Sequence, residues 1–142
     1  QMDFKDSVVL DMGSGTGVLA ILAEQLGAKE IIAIEIEEWS AENILENIAL
    51  NHCRSIKAIH GDASAIPQIL FDIVLANINK NVLLAQLASY SSALKMGGVL
   101  VLSGFFVTDA PDLIIEAQKH GFMHQSTLDK ENWAVVLLTK IK

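Results

Sequence analysis

Short apolar runs of strand length alternate along the chain with segments in which apolar residues recur at the helical period. The predicted strands are 7–10, 30–36, 55–60, 71–76, 99–103, 122–128 and 133–140, and the predicted helices are 17–26, 41–52, 81–95 and 109–120. In the first helix, the predicted buried stripe consists of Leu19, Leu22, Ala23 and Leu26. Gly27 then ends this helix, as glycine commonly does.

This order of elements predicts five strand–helix units followed by a β-hairpin. The link at 129–132 is too short for a helical crossover, so the last two strands should pair antiparallel. The fold class is therefore α/β, with a mostly parallel sheet of seven strands, a C-terminal antiparallel hairpin and helices on both faces. Such sheets bind ligands beyond the carboxyl ends of their strands, so site residues should directly follow strands.

Composition limits the class of partner. The chain has 142 residues and is 51% hydrophobic, which suits one compact domain. Its 17 acidic and 10 basic residues give a net charge of -7, which argues against a nucleic-acid partner. The single cysteine, Cys53, excludes an internal disulfide and leaves too few thiols for a zinc ribbon. We therefore expect a cytoplasmic protein without a metal site, and no segment is apolar enough to predict membrane association.

The clearest motif is a glycine-rich turn between the first strand and the first helix, DMGSGTG at 11–17. Glycines permit a tight turn and a close approach of a ligand to the backbone. The dinucleotide-binding spacing G-x-G-x-x-G fails from Gly13, where Val18 is last, and passes from Gly15 only if Ala20 is accepted. A P-loop is excluded because no Gly-Lys-Ser/Thr follows. The candidate ligand contacts in this turn are Asp11, Gly13, Gly15 and Gly17.

Polar residues also follow three later strands. Glu35 lies about 20 positions beyond the glycines, where nucleotide-binding sheets hold ribose hydroxyls with a carboxylate. Asp62 can accept from an adenine amine while the amide of Ala63 donates to a ring nitrogen, although a lone Asp there is also typical of a turn. Asn77 is placed to orient a substrate nitrogen, whereas Asn79 suits a helix cap better.

The chain resembles the catalytic domain of the ribosomal protein L11 methyltransferase family, PrmA, within the class I S-adenosylmethionine-dependent methyltransferases. The resemblance is carried by VLDMGSGTGVLAI, IAIEIEE, FDIVLANINKNVLL, LKMGGVLVLSGFF and NWAVVLL, which span nearly the whole chain. It implies a Rossmann-like fold over residues 1–142, S-adenosylmethionine as cofactor, and Gly13, Glu35 and Asn77 as cofactor contacts. It also implies methylation of lysine and N-terminal amines on a ribosomal protein. The family's N-terminal substrate-recognition domain is not among these residues.

Several assignments stay open at this point. Asn79-Lys80 replaces the Leu-Ala that many family members have, so the contacts of that segment cannot be transferred. Phe105 and Phe106 either form a wall for the substrate lysine or pack in the core. The sequence offers no general base, because His52, His60, His120 and His124 are expected to be structural or solvated. The alternatives are a methyltransferase of small molecules, a nicotinamide-dependent oxidoreductase, and a non-catalytic nucleotide-binding module.

Overall fold

The structure is a computed structural model that describes residues 2–142. Its strands are β1 (Val8–Met12), β2 (Glu30–Glu35), β3 (Ile56–His60), β4 (Phe71–Asn77), β5 (Leu94–Phe106), β6 (Phe122–Lys130) and β7 (Trp133–Lys140). Its helices are α1 (Val18–Gln25), α2 (Glu38–Leu50), α3 (Lys80–Ala93) and α4 (Ala110–Lys119). Within residues 2–142, none of the helices has the length and apolar character needed to cross a membrane.

All the strands form one sheet in the order β3-β2-β1-β4-β5-β7-β6. β1 pairs in parallel with β2 on one side and with β4 on the other, so the strand order reverses between β1 and β4. β7 pairs antiparallel with both β5 and β6, which confirms the predicted C-terminal hairpin. A crevice at the carboxyl ends of β1 and β4 is the position at which such sheets bind ligands.

The prediction of five strand–helix units was wrong at the third unit. β3 is followed by the short 3-10 helix Ala63–Ala65 and then by β4, with no α-helix between the two strands. Only ten residues, 61–70, separate them, and Pro67 interrupts helical hydrogen bonding in that short link. A second 3-10 helix, Val107–Asp109, precedes α4.

Each face of the sheet has its own apolar core. The larger core includes Leu87 of α3 and Leu113 of α4, packed with Leu10, Val74 and Leu100 of the central strands. The smaller core lies beneath α1 and contains the side chains Val9, Ala20, Ala23, Ala28, Ile31, Ala33, Ile73 and Leu75. All of β1 is buried, because a central parallel strand is covered on both faces.

The predicted apolar stripe of α1 was wrong in its orientation. Leu19, Leu22 and Leu26 are 36%, 46% and 52% exposed, and of the stripe only Ala23 is buried. A contact distant in sequence accompanies this rotation, since Glu24 Oε1 accepts hydrogen bonds from the amides of Ser55 and Arg54 at 2.6 Å and 3.0 Å. The small Ala20 and Ala23 side chains then face the sheet, and the leucines turn away from it.

Candidate functional site

Four of the residues predicted from the sequence line one cavity of about 280 Å³ at the carboxyl ends of β1, β2 and β4. They are Gly13, Glu35, Asp62 and Asn77. The other lining residues are Met12, Ile34, Ile36, Gly61, Ile78, Asn79, Val82 and Gln86. The remaining candidates, Asp11, Gly15, Gly17 and Ala63, do not line this cavity. We call it the nucleotide cavity, after the ligand that the sequence predicts at this edge of the sheet.

Two backbone hydrogen bonds hold the glycine turn against β2. The amides of Gly13 and Ser14 both donate to the carbonyl of Ile34, at 2.9 Å and 3.3 Å. Gly13 has a φ of +71°, and a Cβ at this position would lie only 2.6 Å from Ile78 Cγ1. Any side chain here would separate the turn from the segment after β4. A Cβ on Gly15 would meet nothing within 4 Å, so the turn is open on that side.

Glu35 connects β2 to the glycine turn. Its side chain is 7% exposed, and its two oxygens accept hydrogen bonds from the amides of Gly15 and Glu37, each at 2.9 Å. Each carboxylate oxygen has a second lone pair, so Glu35 can accept further donors from the nucleotide cavity. The sequence predicted the location of this acid. Only the structure shows that Glu35 binds the Gly15 amide of the turn.

Asp11 lies on the α1 side of β1, away from the nucleotide cavity. Its side chain is completely buried, and neither carboxylate oxygen has a hydrogen-bond partner among residues 2–142. Burial raises the pKa of Asp11 to about 7, and the nearby Ser14 hydroxyl and Ala20 amide, which do not reach hydrogen-bond geometry with its carboxylate, oppose this only in part. The negative charge of Glu35 adds to the increase. Asp11 is thus an uncompensated acid just before the glycine turn.

Asp62 takes the turn role that was the alternative to adenine binding. It is the N-cap of the 3-10 helix, and its Oδ1 accepts from the Ser64 amide at 2.9 Å. The hydrogen bonds from the hydroxyl and the amide of Ser64 hold the pKa of Asp62 below its usual range. Asp62 still borders the nucleotide cavity, whereas Ala63 lines a separate cavity against α3.

Asn77 ends β4 and lies beside a bulge in β5. The antiparallel register shifts between Leu102 and Phe105, and Gly104 within the bulge has a φ of +92°. A Cβ on Gly104 would lie 2.8 Å from both Asn77 Oδ1 and the carbonyl oxygen of Ile78. Asn77 Oδ1 and the Ile78 carbonyl oxygen therefore pack directly against the backbone at Gly104, with no room for a side chain. Sequence reasoning missed Gly104, although its signal was the Ser-Gly pair that follows a predicted strand.

The segment 77–79 separates the nucleotide cavity from a second open region. On the other side is a cavity of about 640 Å³, lined by residues 77–79, Ser103, Gly104, 128–130 and 133–135. A further cavity of about 510 Å³ adjoins it and shares Asn79, Gly104 and Trp133. We call these two cavities together the substrate groove. Asn79 also caps α3 by accepting from the Val82 amide at 3.1 Å, as predicted.

The two phenylalanines after Gly104 have different roles. Phe105 is 2% exposed and belongs to the larger core. Phe106 is 49% exposed, lines the substrate groove and stacks on Trp133 with ring centroids 4.5 Å apart. Sequence reasoning did not single out Trp133. None of the four histidines lines the nucleotide cavity or the substrate groove, and His60 Nε2 instead contacts the carbonyl of Ile36 at 2.9 Å.

The chain matches the family model described as ribosomal protein L11 methyltransferase (PrmA) over residues 1–141. The ribosomal protein L11 methyltransferases of Porphyromonas gingivalis and Bacteroides thetaiotaomicron are 45% and 44% identical to it over 139 and 138 residues. These matches cover 97% and 96% of this chain but only 48% and 49% of the relatives. The chain thus spans about half the length of the curated relatives it matches.

A solved structure shows the same arrangement of elements. The crystal structure of ribosomal protein L11 methylase from Lactobacillus delbrueckii subsp. bulgaricus matches with a TM-score of 0.90 at 27% sequence identity. The match covers 96% of this chain and 71% of that chain. The Rossmann-like methyltransferase fold expected from the resemblance is therefore confirmed.

The buried acid makes a testable contribution to stability. The folded pKa of Asp11, about 7, lies above its ordinary value of 3.8, so its stabilising protonation is lost as pH rises through 7. We expect the free energy of unfolding of the parent to fall by about 2–3 kcal/mol between pH 5 and pH 8.5 from this group alone. Asp11→Asn should lack that decrease in urea unfolding at the two pH values.

Asp72 is a suitable control, because its pKa is shifted in the opposite direction to that of Asp11. Its carboxylate accepts from the Val8 amide at 2.8 Å and from Lys95 Nζ at 3.0 Å, and these partners lower its pKa despite its partial burial. Asp72→Asn should therefore reduce stability at both pH values while keeping the pH dependence of the parent. Equal pH dependence in Asp11→Asn and the parent would show that Asp11 is ionised when buried.

Gly104 can be tested against a glycine with the same backbone strain but free space. Gly104→Ala combines a φ of +92° with contacts of 2.8 Å, and we expect it to lower the free energy of unfolding by about 3 kcal/mol or more. Gly97→Ala has a φ of +80° but no atom within 4 Å, and should lose only about 1–2 kcal/mol. Equal losses in urea unfolding would mean that the approach of Gly104 to Asn77 is unimportant.

Proposed function

The chain belongs to the ribosomal protein L11 methyltransferase (PrmA) family, and we propose that it is the methyl-transferring part of an enzyme that acts on amines of ribosomal protein L11. In this proposal, residues 1–142 bind S-adenosylmethionine and align the amine, while a further part of a longer enzyme recognises the substrate. Two facts support it: the relatives are named for this substrate, and they are about twice as long as the chain.

The residues around the glycine turn suit S-adenosylmethionine, the cofactor that the family implies. When bound, this cofactor supplies a methyl group activated by a positively charged sulfur. Glu35 has lone pairs for ribose hydroxyls in the nucleotide cavity, and the open space at Gly15 leaves the backbone of the turn accessible. Asp11 is buried behind the glycine turn rather than in this cavity, so in this proposal it acts only at a distance, where a cationic ligand would favour its ionised form. The proposed cofactor residues are Asp11, Gly13, Gly15, Gly17, Glu35, Asp62, Ala63 and Asn77.

The target amine must lose a proton before it can accept a methyl group. A lysine amine is neutral in about one part in several thousand at pH 7, a deficit of roughly 4–5 kcal/mol, and an α-amine has a deficit of only about 1 kcal/mol. Asn77 Oδ1 and the Ile78 carbonyl oxygen can each accept a hydrogen bond from an N–H of the amine. These hydrogen bonds would orient the lone pair of the amine. In this proposal no side chain of the site acts as general base, and the proton leaves to solvent.

The position of Asn77 and Ile78 between the two cavities is the observation that carries the proposal for amine transfer. Both oxygens belong to residues that line the nucleotide cavity and the substrate groove, so an amine entering from the groove would meet them next to the cofactor. The groove also offers an apolar wall, Phe106 stacked on Trp133, for the aliphatic stem of a lysine.

The partner in this proposal is a protein in the cytoplasm, without direct nucleic-acid or membrane association. The net charge of -7 supports a basic protein partner, because like charges on nucleic acid or on anionic lipid would be repelled. A role in which the cofactor is bound but no methyl is transferred is the remaining alternative. Methylation itself distinguishes the two, since a binding module would hold the cofactor without modifying any amine.

Cofactor binding depends on Glu35 if the assignment is correct. Glu35→Ala removes a charged acceptor of two backbone amides, and we expect the dissociation constant for S-adenosylmethionine to rise at least about tenfold in calorimetry. Glu35→Gln should fall between this variant and the parent. Glu38→Ala, an exposed acid in the first turn of α2, is the control and should bind like the parent. An unchanged affinity in Glu35→Ala would contradict the site.

Methyl transfer can be followed by mass spectrometry of purified ribosomal protein L11 incubated with S-adenosylmethionine and the full-length enzyme that contains this chain. We expect methylated lysine or N-terminal amine in L11, and a rate in Asn77→Ala about a hundredfold lower. Asn51→Ala, at the end of α2, should retain the rate of the parent. Methylation of small amines but not of L11 would overturn the proposed substrate.

A further inference from the structure

We propose that Lys80 is a positioning residue for methyl transfer: by joining the start of α3 to the start of α4, it sets the width of the substrate groove. The inference rests on the proposed function, because the substrate groove is the proposed route of the amine. Its structural part stands independently, since it concerns which two segments the Lys80 side chain holds together.

Lys80 bridges two helices that are distant in sequence. Its Nζ lies 2.7 Å from Asp112 Oδ2 and 3.5 Å from Asp109 Oδ1. The side chains of Lys80 and Asp109 are only 28% and 30% exposed, whereas that of Asp112 is 65% exposed. The hydrogen bond to Asp112 and the charges of both acids raise the pKa of Lys80, so its ammonium stays charged.

The position of Lys80 in its own helix is unfavourable. It is the first residue of α3, directly after the cap Asn79, and a cation at a helix N-terminus opposes the helix dipole. Asp109 and Asp112 stand at the N-terminus of α4, where carboxylates are favoured. The stability of α3 alone therefore does not explain a lysine at this position. The ion pairs with α4 compensate for its unfavourable interaction with the dipole of α3.

The bridge lies at the substrate groove. Lys80 and Asp109 line the cavity of about 510 Å³ together with Asn79, Gly104 and Phe106. On one side of the bridge Asn79 and Asn81 flank Lys80, and on the other side are Phe106 and Asp109. Because the ion pair joins these two sides of the cavity, it limits how far apart they stand.

Kinetics with ribosomal protein L11 test this role. Lys80→Met keeps the aliphatic length but loses the charge, and we expect the KM for L11 to rise about two- to fivefold, the range for a partly exposed ion pair. The dissociation constant for S-adenosylmethionine should not change. Lys80→Arg should restore the KM, because a guanidinium can pair with both carboxylates. Lys119→Met removes the same charge from an exposed i,i+3 pair in α4 and should behave like the parent.

Hydrogen exchange measured by mass spectrometry provides a readout independent of methylation. Lys80→Met and Asp112→Asn should both accelerate amide exchange in 78–83 and 104–110 but not in the glycine turn. If the parent does not methylate L11, the proposed function fails while exchange still decides the role of Lys80. Unchanged exchange in both variants overturns the inference, as does a KM increase that Lys119→Met reproduces or that Lys80→Arg does not reverse.

Discussion

The close approach of three backbone segments at the carboxyl ends of β1, β4 and β5 determines the geometry of the whole site. Gly13 meets Ile78 from one side, and Gly104 meets Asn77 and Ile78 from the other. A methyl group at either glycine would occupy space that these neighbours already fill. Because both contacts involve the segment 77–79, the nucleotide cavity and the substrate groove share one thin partition, which is the arrangement that transfer between two bound molecules requires.

Three acids predicted at this site have three different environments. Glu35 is bound to two amides and fixes the glycine turn, Asp62 caps a short helix, and Asp11 is buried with no partner among residues 2–142. Burial favours the neutral form of an unpartnered acid, while hydrogen bonds to a carboxylate favour its charge. The same carboxyl group thus supports the glycine turn at Glu35, caps a short helix at Asp62 and is buried without a partner at Asp11.

The substrate side is built from the C-terminal half of the chain. Phe106 and Trp133 form an exposed stacked wall, and the bridge from Lys80 to Asp109 and Asp112 spans the neighbouring helix starts. These features come from β4 to β7, whereas the proposed cofactor residues come from β1 to β3 and the end of β4. The sheet order places the two sets side by side, because β4 lies next to β1 and joins the halves. The proposed function therefore depends on the reversal of strand order between β1 and β4.

Local patterns in the sequence were sufficient for the strands, the four α-helices, the C-terminal hairpin and the placement of polar residues after strands, because periodicity and glycine act over a few residues. The motifs also identified the family. Only the tertiary structure decided that the leucines of α1 face outward, that Asp11 points away from the nucleotide cavity, and that Phe105 is buried while Phe106 is exposed. The ion pair between Lys80 and Asp112 is likewise apparent only from the tertiary structure. Those outcomes depend on contacts between residues far apart in sequence, such as Glu24 with Ser55, and the pattern of either segment alone cannot specify them.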